Sequence, residues 1–255
     1  MRKVFLNTLI GFSSVCIVIL IWHFAAKGMH PILLPGPIAV GYALIELAQS
    51  GMLWDAIEIS LARVFSGWLL GSSIAIPLGL IAGTSISARA ALDPFIHFFR
   101  FVPALALVSL FILWFGIGEL AKVSLIAFAV GFVTLVTTAS GASSIDIDKL
   151  NGARSLGANR IDLFFQIIFP ATLPSIFVGM RLALANAFLV IVAAEALAAQ
   201  EGIGFLIWNA RTFFRTDFIF VGIMCFGGLG FICDRLWKLF GKIIISKYLT
   251  KLGNY

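Results

Sequence analysis

The chain has 255 residues, a mean hydropathy of +1.07, 61% hydrophobic residues and 12% charged ones. A soluble domain carries about 25% charged residues, so the composition excludes an ordinary soluble enzyme and marks an integral membrane protein. The net charge of +6 does not point to nucleic acid, because no basic cluster is interleaved with aromatics; positively charged cytoplasmic loops account for it.

Arg2 and Lys3 precede an apolar run over about residues 9–26. A signal peptide is one reading. Length, and Trp22 and His23 at the position of an interfacial belt, favour an uncleaved first span with its N-terminus inside. Pro31, Pro35 and Pro37 then break the pattern, and Val40, Ala43, Leu44 and Leu47 recur at helical spacing. Glu46, Asp55 and Glu58 make this stretch acidic, which fits an extracytoplasmic helix lying near the interface; a plain connector is the alternative.

A second span covers about residues 61–83, with Gly67-x-x-x-Gly71 and Gly79-x-x-x-Gly83 spaced for close helix approach. Pro77 is a candidate bend, and Arg63 near the outer end can snorkel to the interface. A third span is expected over about residues 95–115, opening with His97 and Arg100 near the cytoplasmic face. A tight outer turn, 116–119, leads to a fourth span over about 122–142. The fifth is expected from Pro174 or Ser175 to about Ala199 and the sixth over about 218–239.

Between the fourth and fifth spans lies a polar island. Asp146, Asp148, Lys149, Arg154, Arg160 and Asp162 fall within 17 residues. At about 2.5–3.5 kcal/mol per charge at a bilayer centre, six would cost roughly 15–21 kcal/mol, so the island lies outside the lipid. It is not a loose loop. Ile147, Leu150 and Ala153 form a short apolar stripe, and Gly157 can end that helix in a left-handed turn. Asn159 then caps a second helix, with Asp162 as an imperfect capping box and Ile161, Phe164, Phe165 and Ile168 at i, i+3, i+4, i+7. Two short helices meeting at Gly157 look built to dock; the alternative is that their apolar face packs on the protein's own spans.

Charge asymmetry orients this layout. Arg2, Lys3, Arg89, Arg100, Lys149, Arg154, Arg160, Arg181, Arg235, Lys238, Lys242, Lys247 and Lys251 fall at the inner face. Lys27, Lys122, Arg211 and Arg215 fall outside, with Arg63 near the outer end of its span. The bias predicts six spans, both termini in the cytoplasm and a cytoplasmic island.

Intrinsic chemistry is sparse. There is no G-x-x-x-x-G-K-[ST] phosphate loop, H-E-x-x-H or G-x-S-x-G. Gly116-Ile117-Gly118-Glu119 is only superficially like an intramembrane aspartyl protease motif, Gly202-Ile203-Gly204 reads as a turn, and Cys16, Cys225 and Cys233 read as buried core thiols. A self-contained secondary transporter or channel should show repeated halves or charged mid-span positions. No convincing repeat is present and mid-span charges are few.

The island resembles the EAA motif of permease subunits of ATP-driven importers, E-A-A, three residues, Gly, nine residues, Ile-x-Leu-Pro. Asn151-Gly152-Ala153, Gly157 and Ile167-Ile168-Phe169-Pro170 match its spacing; Asn151, Gly152 and Phe169 depart from its residues. Ser60 to Arg63, 76–79, 92–94, 112–119, 179–184, Ala194-Glu195 and 202–204 also resemble one subgroup, the permeases of nitrate, sulfonate, taurine and bicarbonate importers, with relatives carrying pyrimidine precursors. The likeness covers about residues 35–241; residues 100–104 and Ser109 depart from a more proline-rich pattern.

The resemblance implies an all-α membrane protein of about six spans, with cytoplasmic coupling helices between spans 4 and 5. It divides into an N-terminal helix and extracytoplasmic segment (1–56), a transporter domain (57–241) and a basic tail (242–255). It implies a homodimer in the bacterial inner membrane, with an ATPase dimer below and an extracytoplasmic solute-binding protein above. No nucleic-acid partner, metal or cofactor is expected on this chain, and ATP and Mg belong on the ATPase. The coupling residues would be Asn151, Gly152, Ala153, Arg154, Gly157, Arg160, Ile161, Phe164, Phe165, Ile167 and Pro170. Asn186 and Glu195, nearer the outer mouth, are the candidates for the translocation path; the alternatives are an interhelical hydrogen bond for Asn186 and a water contact for Glu195. The implied cargo is a small anion, with a pyrimidine or other small organic nutrient as the alternative.

Overall fold

The computed structural model describes residues 2–99 and 101–244, and every regular element among them is helical. In chain order the helices are α1 (Arg2–Lys27), α2 (Pro37–Gln49), α3 (Met52–Thr84), α4 (Ile86–Phe99), α5 (Ala104–Phe115), α6 (Glu119–Ser143) and α7 (Ile147–Ser155). There follow α8 (Arg160–Asp162), a π-helical turn (Leu163–Ile168), α9 (Phe169–Ala198), α10 (Ile203–Thr212) and α11 (Thr216–Ile244). Five helices are long and apolar enough to cross a bilayer, and the α4–α5 pair makes six if it counts as one span. Arg100, Lys247 and Lys251, placed at the inner face by the charge pattern, lie outside the described residues.

The core is three helices, α3, α6 and α9. Glycine spacing explains the first contact. A Cβ on Gly71 would meet the backbone of Ala127, one on Gly79 would lie 2.8 Å from Leu135 O, and one on Gly83 would meet Ala142 and Ala139. The residue numbers rise together along this seam, so α3 and α6 run parallel, and their backbones approach as the G-x-x-x-G spacing predicts. The helix α9 runs antiparallel to α6, with Gly179 against Thr137 and Gly141 against Ser175. Trp68 Nε1 donates to Met180 O at 2.8 Å and ties α3 to α9. Trp237 stacks on Phe177 at 4.8 Å and meets Trp68 edge-on at 4.9 Å, bringing α11 against both α9 and α3.

The N-terminal span α1 stays outside this core: none of its membrane-length window is buried, and Trp22 Nε1 donating to Pro35 O at 3.0 Å holds its C-terminal end. The helix α2 forms where the spacing placed one and buries Val40, Ala43 and Leu47, while Leu44 is exposed. Arg215 pins it to the start of α11 through Glu46 at 2.8 Å and Asp217 at 3.0 Å. These carboxylates, Asp217 first and then Glu46, raise the guanidinium's pKa further above its ordinary value.

Two expectations need correction. The third span is not one rod: α4 and α5 are bent by 103°. Pro103 opens α5 with ψ 127°, and proline disfavours helix in the residue before it, so the chain breaks there. At 12 residues, about 18 Å, α5 is too short to cross alone. Second, the second island helix is not separate from span five. The helical run Arg160–Leu197 is continuous for 38 residues. Pro170 is tolerated near the start of α9, and Pro174 lies within it.

Candidate functional site

The segment from Asp146 to Pro170 folds from local rules. Asp146 caps α7 by accepting from Asp148 N at 2.9 Å. The helix ends in a Schellman arrangement, with Ala158 N donating to Ala153 O at 3.0 Å, Gly157 N to Arg154 O at 3.0 Å and Gly157 at φ +90°. Two residues later Asn159 Oδ1 accepts from Ile161 N at 2.8 Å and Asp162 N at 2.9 Å, while Asp162 Oδ2 accepts from Asn159 N at 3.2 Å. Both halves of the capping box are therefore present.

These caps hold an unusual surface. Ile147, Leu156, Ile161 and Phe165 are 59, 90, 68 and 63% exposed, although α7 and α8 bury none of their residues in the protein's own core. Arg154 and Arg160 flank the patch and are exposed; Arg154 Nη1 donates to Asn151 Oδ1 at 3.2 Å. A Cβ on Gly152 or Gly157 would meet open space. Ala153, Phe164, Ile167 and Pro170 are half-buried. The face expected from Ile161, Phe164, Phe165 and Ile168 is thus divided, with Leu163 facing inward at 6% exposure. The π-helical turn explains this, since i→i+5 bonding shifts the i+3/i+4 register. Leu156 is an exposed apolar residue that the periodicity did not reveal, because it sits beside the bend and belongs to neither stripe.

The two path candidates have defined partners. Asn186 Nδ2 donates to Ala129 O at 3.1 Å, an α9–α6 hydrogen bond. Glu195 is fully buried and makes no contact with bulk solvent. It belongs to a charge cluster assembled from four separate stretches. Arg63 donates Nε to Glu119 Oε2 at 2.6 Å and Nη2 to Glu119 Oε1 at 2.7 Å. Its Nη1 reaches Glu195 Oε1 at 2.7 Å and Glu201 O at 2.8 Å. Lys122 Nζ donates to Glu119 Oε1 at 2.9 Å. Ser60 Oγ donates to the Glu195 carboxylate at 2.8 Å and accepts from Ile203 N at 2.9 Å, and Gly204 N donates to Glu195 Oε2 at 2.8 Å.

The cluster contains two cations and two carboxylates, so its formal charge cancels. Arg63 and Lys122 are 4 and 6% exposed, whereas the Glu119 side chain is 61% exposed. Buried charges of this kind survive only when paired and hydrogen-bonded. Gly202 and Gly204 make the cradle: a Cβ on Gly202 would meet the Glu195 carboxylate, and one on Gly204 would lie 2.7 Å from Glu195 Cβ. The expected turn at 202–204 is therefore present, with Gly202 at φ +109° opening α10. A second pair, Arg181 with Asp234, joins α9 to α11, and Lys238 approaches Asp234 at 3.4 Å. Arg63 with Glu119 and Glu195, and Arg181 with Asp234, are thus ion-paired between helices. That pairing was not legible from the chain, where Arg63 and Glu195 stand 132 positions apart.

Among the described residues no group of three or more His, Cys, Asp or Glu is placed to hold a metal, and the three cysteines are half-buried and free.

Comparison with known proteins accords with this arrangement. Residues 75–245 match the family model described as binding-protein-dependent transport system inner membrane component. The chain is 39% identical to an aliphatic sulfonates transport permease protein of Escherichia coli (strain K12), over 86% of this chain and 87% of that one. It is 31% identical to the taurine transport system permease protein of the same organism, over 88 and 84%. Among solved structures it is similar to a chain of the MetNI methionine ABC transporter in an inward-facing conformation, at 15% identity and a TM-score of 0.62, covering 74% of this chain and 95% of that one. That likeness concerns the fold. The chain belongs to the binding-protein-dependent transport system inner membrane components and is an ABC importer permease subunit.

Proposed function

We propose that this permease carries a small organic anion, with an alkyl sulfonate as the leading class, through a path shared by two copies of the chain. A separate ATPase, holding ATP and Mg, would drive it, docking on the segment from Asp146 to Pro170. The observation that carries the coupling assignment is the exposed patch of Ile147, Leu156, Ile161 and Phe165 in a stretch too charged for lipid. Four apolar side chains, each more than half exposed among the described residues, stand in water, and a groove on another protein removes them from it. Arg154 and Arg160 at the rim complement acidic groups on that partner. In this reading the termini and the segment share the cytoplasmic side, and the solute-binding protein meets the opposite face, near α10. The sulfonate class rests on the two Escherichia coli relatives. Asn186, on the α6–α9 seam, is the polar residue retained as a path candidate.

Co-expression with the cognate ATPase is expected to give a complex that survives purification. The variant Arg160→Glu with Ile161→Pro should fold, as judged by thermal unfolding, yet lose the ATPase. Retention of the ATPase by that variant would refute the docking assignment. For the cargo, alkyl sulfonates should raise the melting temperature of the cognate binding protein; a response only to uncharged nutrients would rule out the anion class.

A further inference from the structure

The buried charge cluster lies at the opposite end of the helix that begins in the coupling segment. The run Arg160–Leu197 is 38 residues long, about 57 Å at 1.5 Å per residue. Its first residues carry the exposed Ile161 and Phe165, and Glu195 lies near its last. Glu195 fastens two things there. Through Arg63 it is tied to α3 and, by way of Glu119, to the start of α6. Through Gly204 N, and through Ser60 Oγ to Ile203 N, it holds the first turn of α10.

The geometry points to a mechanical link. We propose that the Ser60–Arg63–Glu119–Lys122–Glu195 cluster makes α10, on the extracytoplasmic side, move with the helix that leaves the coupling segment. Arg63 and Glu195 are the positioning residues. The inference rests on the ATPase-docking reading above.

Three features favour such a link over simple packing. The contacts are directional: six hydrogen bonds or ion pairs between 2.6 and 2.9 Å join Arg63, Glu195, Ser60, Glu119 and the α10 backbone. They leave no slack, because Gly202 and Gly204 admit the Glu195 carboxylate only where a side chain would collide. The cluster also has one accessible member. Glu119 is 61% exposed while its partners are buried, so it is the carboxylate through which a change at the outer face reaches Arg63 and, through Arg63, Glu195. Energetic coupling over such distances is carried by rigid elements and hydrogen-bond networks with discrete arrangements.

The test uses the assembled transporter with its cognate ATPase and binding protein, in lipid nanodiscs. Ser60→Ala keeps every charge but removes the hydroxyl shared by Glu195 and Ile203. Glu119→Gln alters the exposed member and serves if the first variant fails to fold. Both are expected to assemble and to keep basal ATP hydrolysis within about twofold of the unaltered complex. Stimulation of hydrolysis by the solute-loaded binding protein should fall about tenfold, a coupling loss within the usual range for linked sites. Ser60→Thr, which retains the hydroxyl, should keep the stimulation. The proposal is overturned if stimulation survives in both Ser60→Ala and Glu119→Gln. It is equally overturned if basal and stimulated rates fall by the same factor, the result of a merely structural role. Failure of the unaltered chain to bind the ATPase would instead refute the docking reading, and the link with it.

Discussion

At the C-terminal end of the Arg160–Leu197 run, the outer end in the orientation proposed above, Glu195 is fully buried and its carboxylate accepts from donors at 2.7–2.9 Å. At the inner end Ile161 and Phe165 are 68 and 63% exposed and the surrounding helices are held mainly by their own caps. One end is polar and enclosed, the other apolar and open. Each inverts what its medium favours: charge in a region of apolar spans, hydrocarbon in water. Burial of a charge is stable only with its partners inside the chain, so the outer end is complete by itself. Exposure of four large apolar side chains to water is unfavourable, and in the docking proposed above a partner outside the chain relieves it at the inner end.

Substitutions should separate the two regions. The largest expected effect is at the outer cluster. Glu195→Ala leaves the Arg63 guanidinium facing a buried gap and should cost about 3–5 kcal/mol, read as a lower unfolding temperature in detergent. The double variant Arg63→Met with Glu195→Leu should recover most of that loss; no recovery would show that packing, rather than unpaired charge, dominates. Next comes Gly71→Val, which places methyl groups against the backbone of Ala127. It should destabilise the α3–α6 seam by about 3 kcal/mol, the upper range for overpacking, again read by thermal unfolding.

At the inner end the readout must change. Phe165→Ala should leave thermal stability of the isolated chain nearly unaltered, because the side chain is exposed, and should weaken ATPase binding by about 2 kcal/mol if it is a buried anchor in the complex. Equal losses in stability and binding would place Phe165 in the protein's own core instead. The smallest effect is expected for Gly157→Ala. At φ +90° an alanine is strained by about 1 kcal/mol, which should loosen the bend between α7 and α8, measurable as faster amide exchange at Leu156 to Asn159. Unaltered exchange would mean the caps alone set the bend.

Much of the inner region was readable from the chain because its determinants are local. Gly157 stands where a left-handed residue must, Asn159 and Asp162 lie three apart as a capping box needs, and the six charges around them bar the segment from lipid. The same locality misled in two places. Ile161 to Ile168 has a helical period, but the π-helical turn from Leu163 to Ile168 breaks its register. The apolar run over 95–115 reads as one span, yet Pro103 divides it into α4 and α5.

The sequence by itself determined the membrane class, the approximate spans, the close-packing glycines of α3 and the polar island, since each follows from composition or from residues a few positions apart. The tertiary structure decided which charges meet. Glu119 and Lys122 stand three apart on one helix, but Arg63 and Glu195 carry no spacing signature that joins them to that pair, because their helices are brought together by the glycine seam and the antiparallel return of α9. Their strength as a cluster comes from exclusion of water around groups far apart in the chain, a property of the packed bundle and of no single segment.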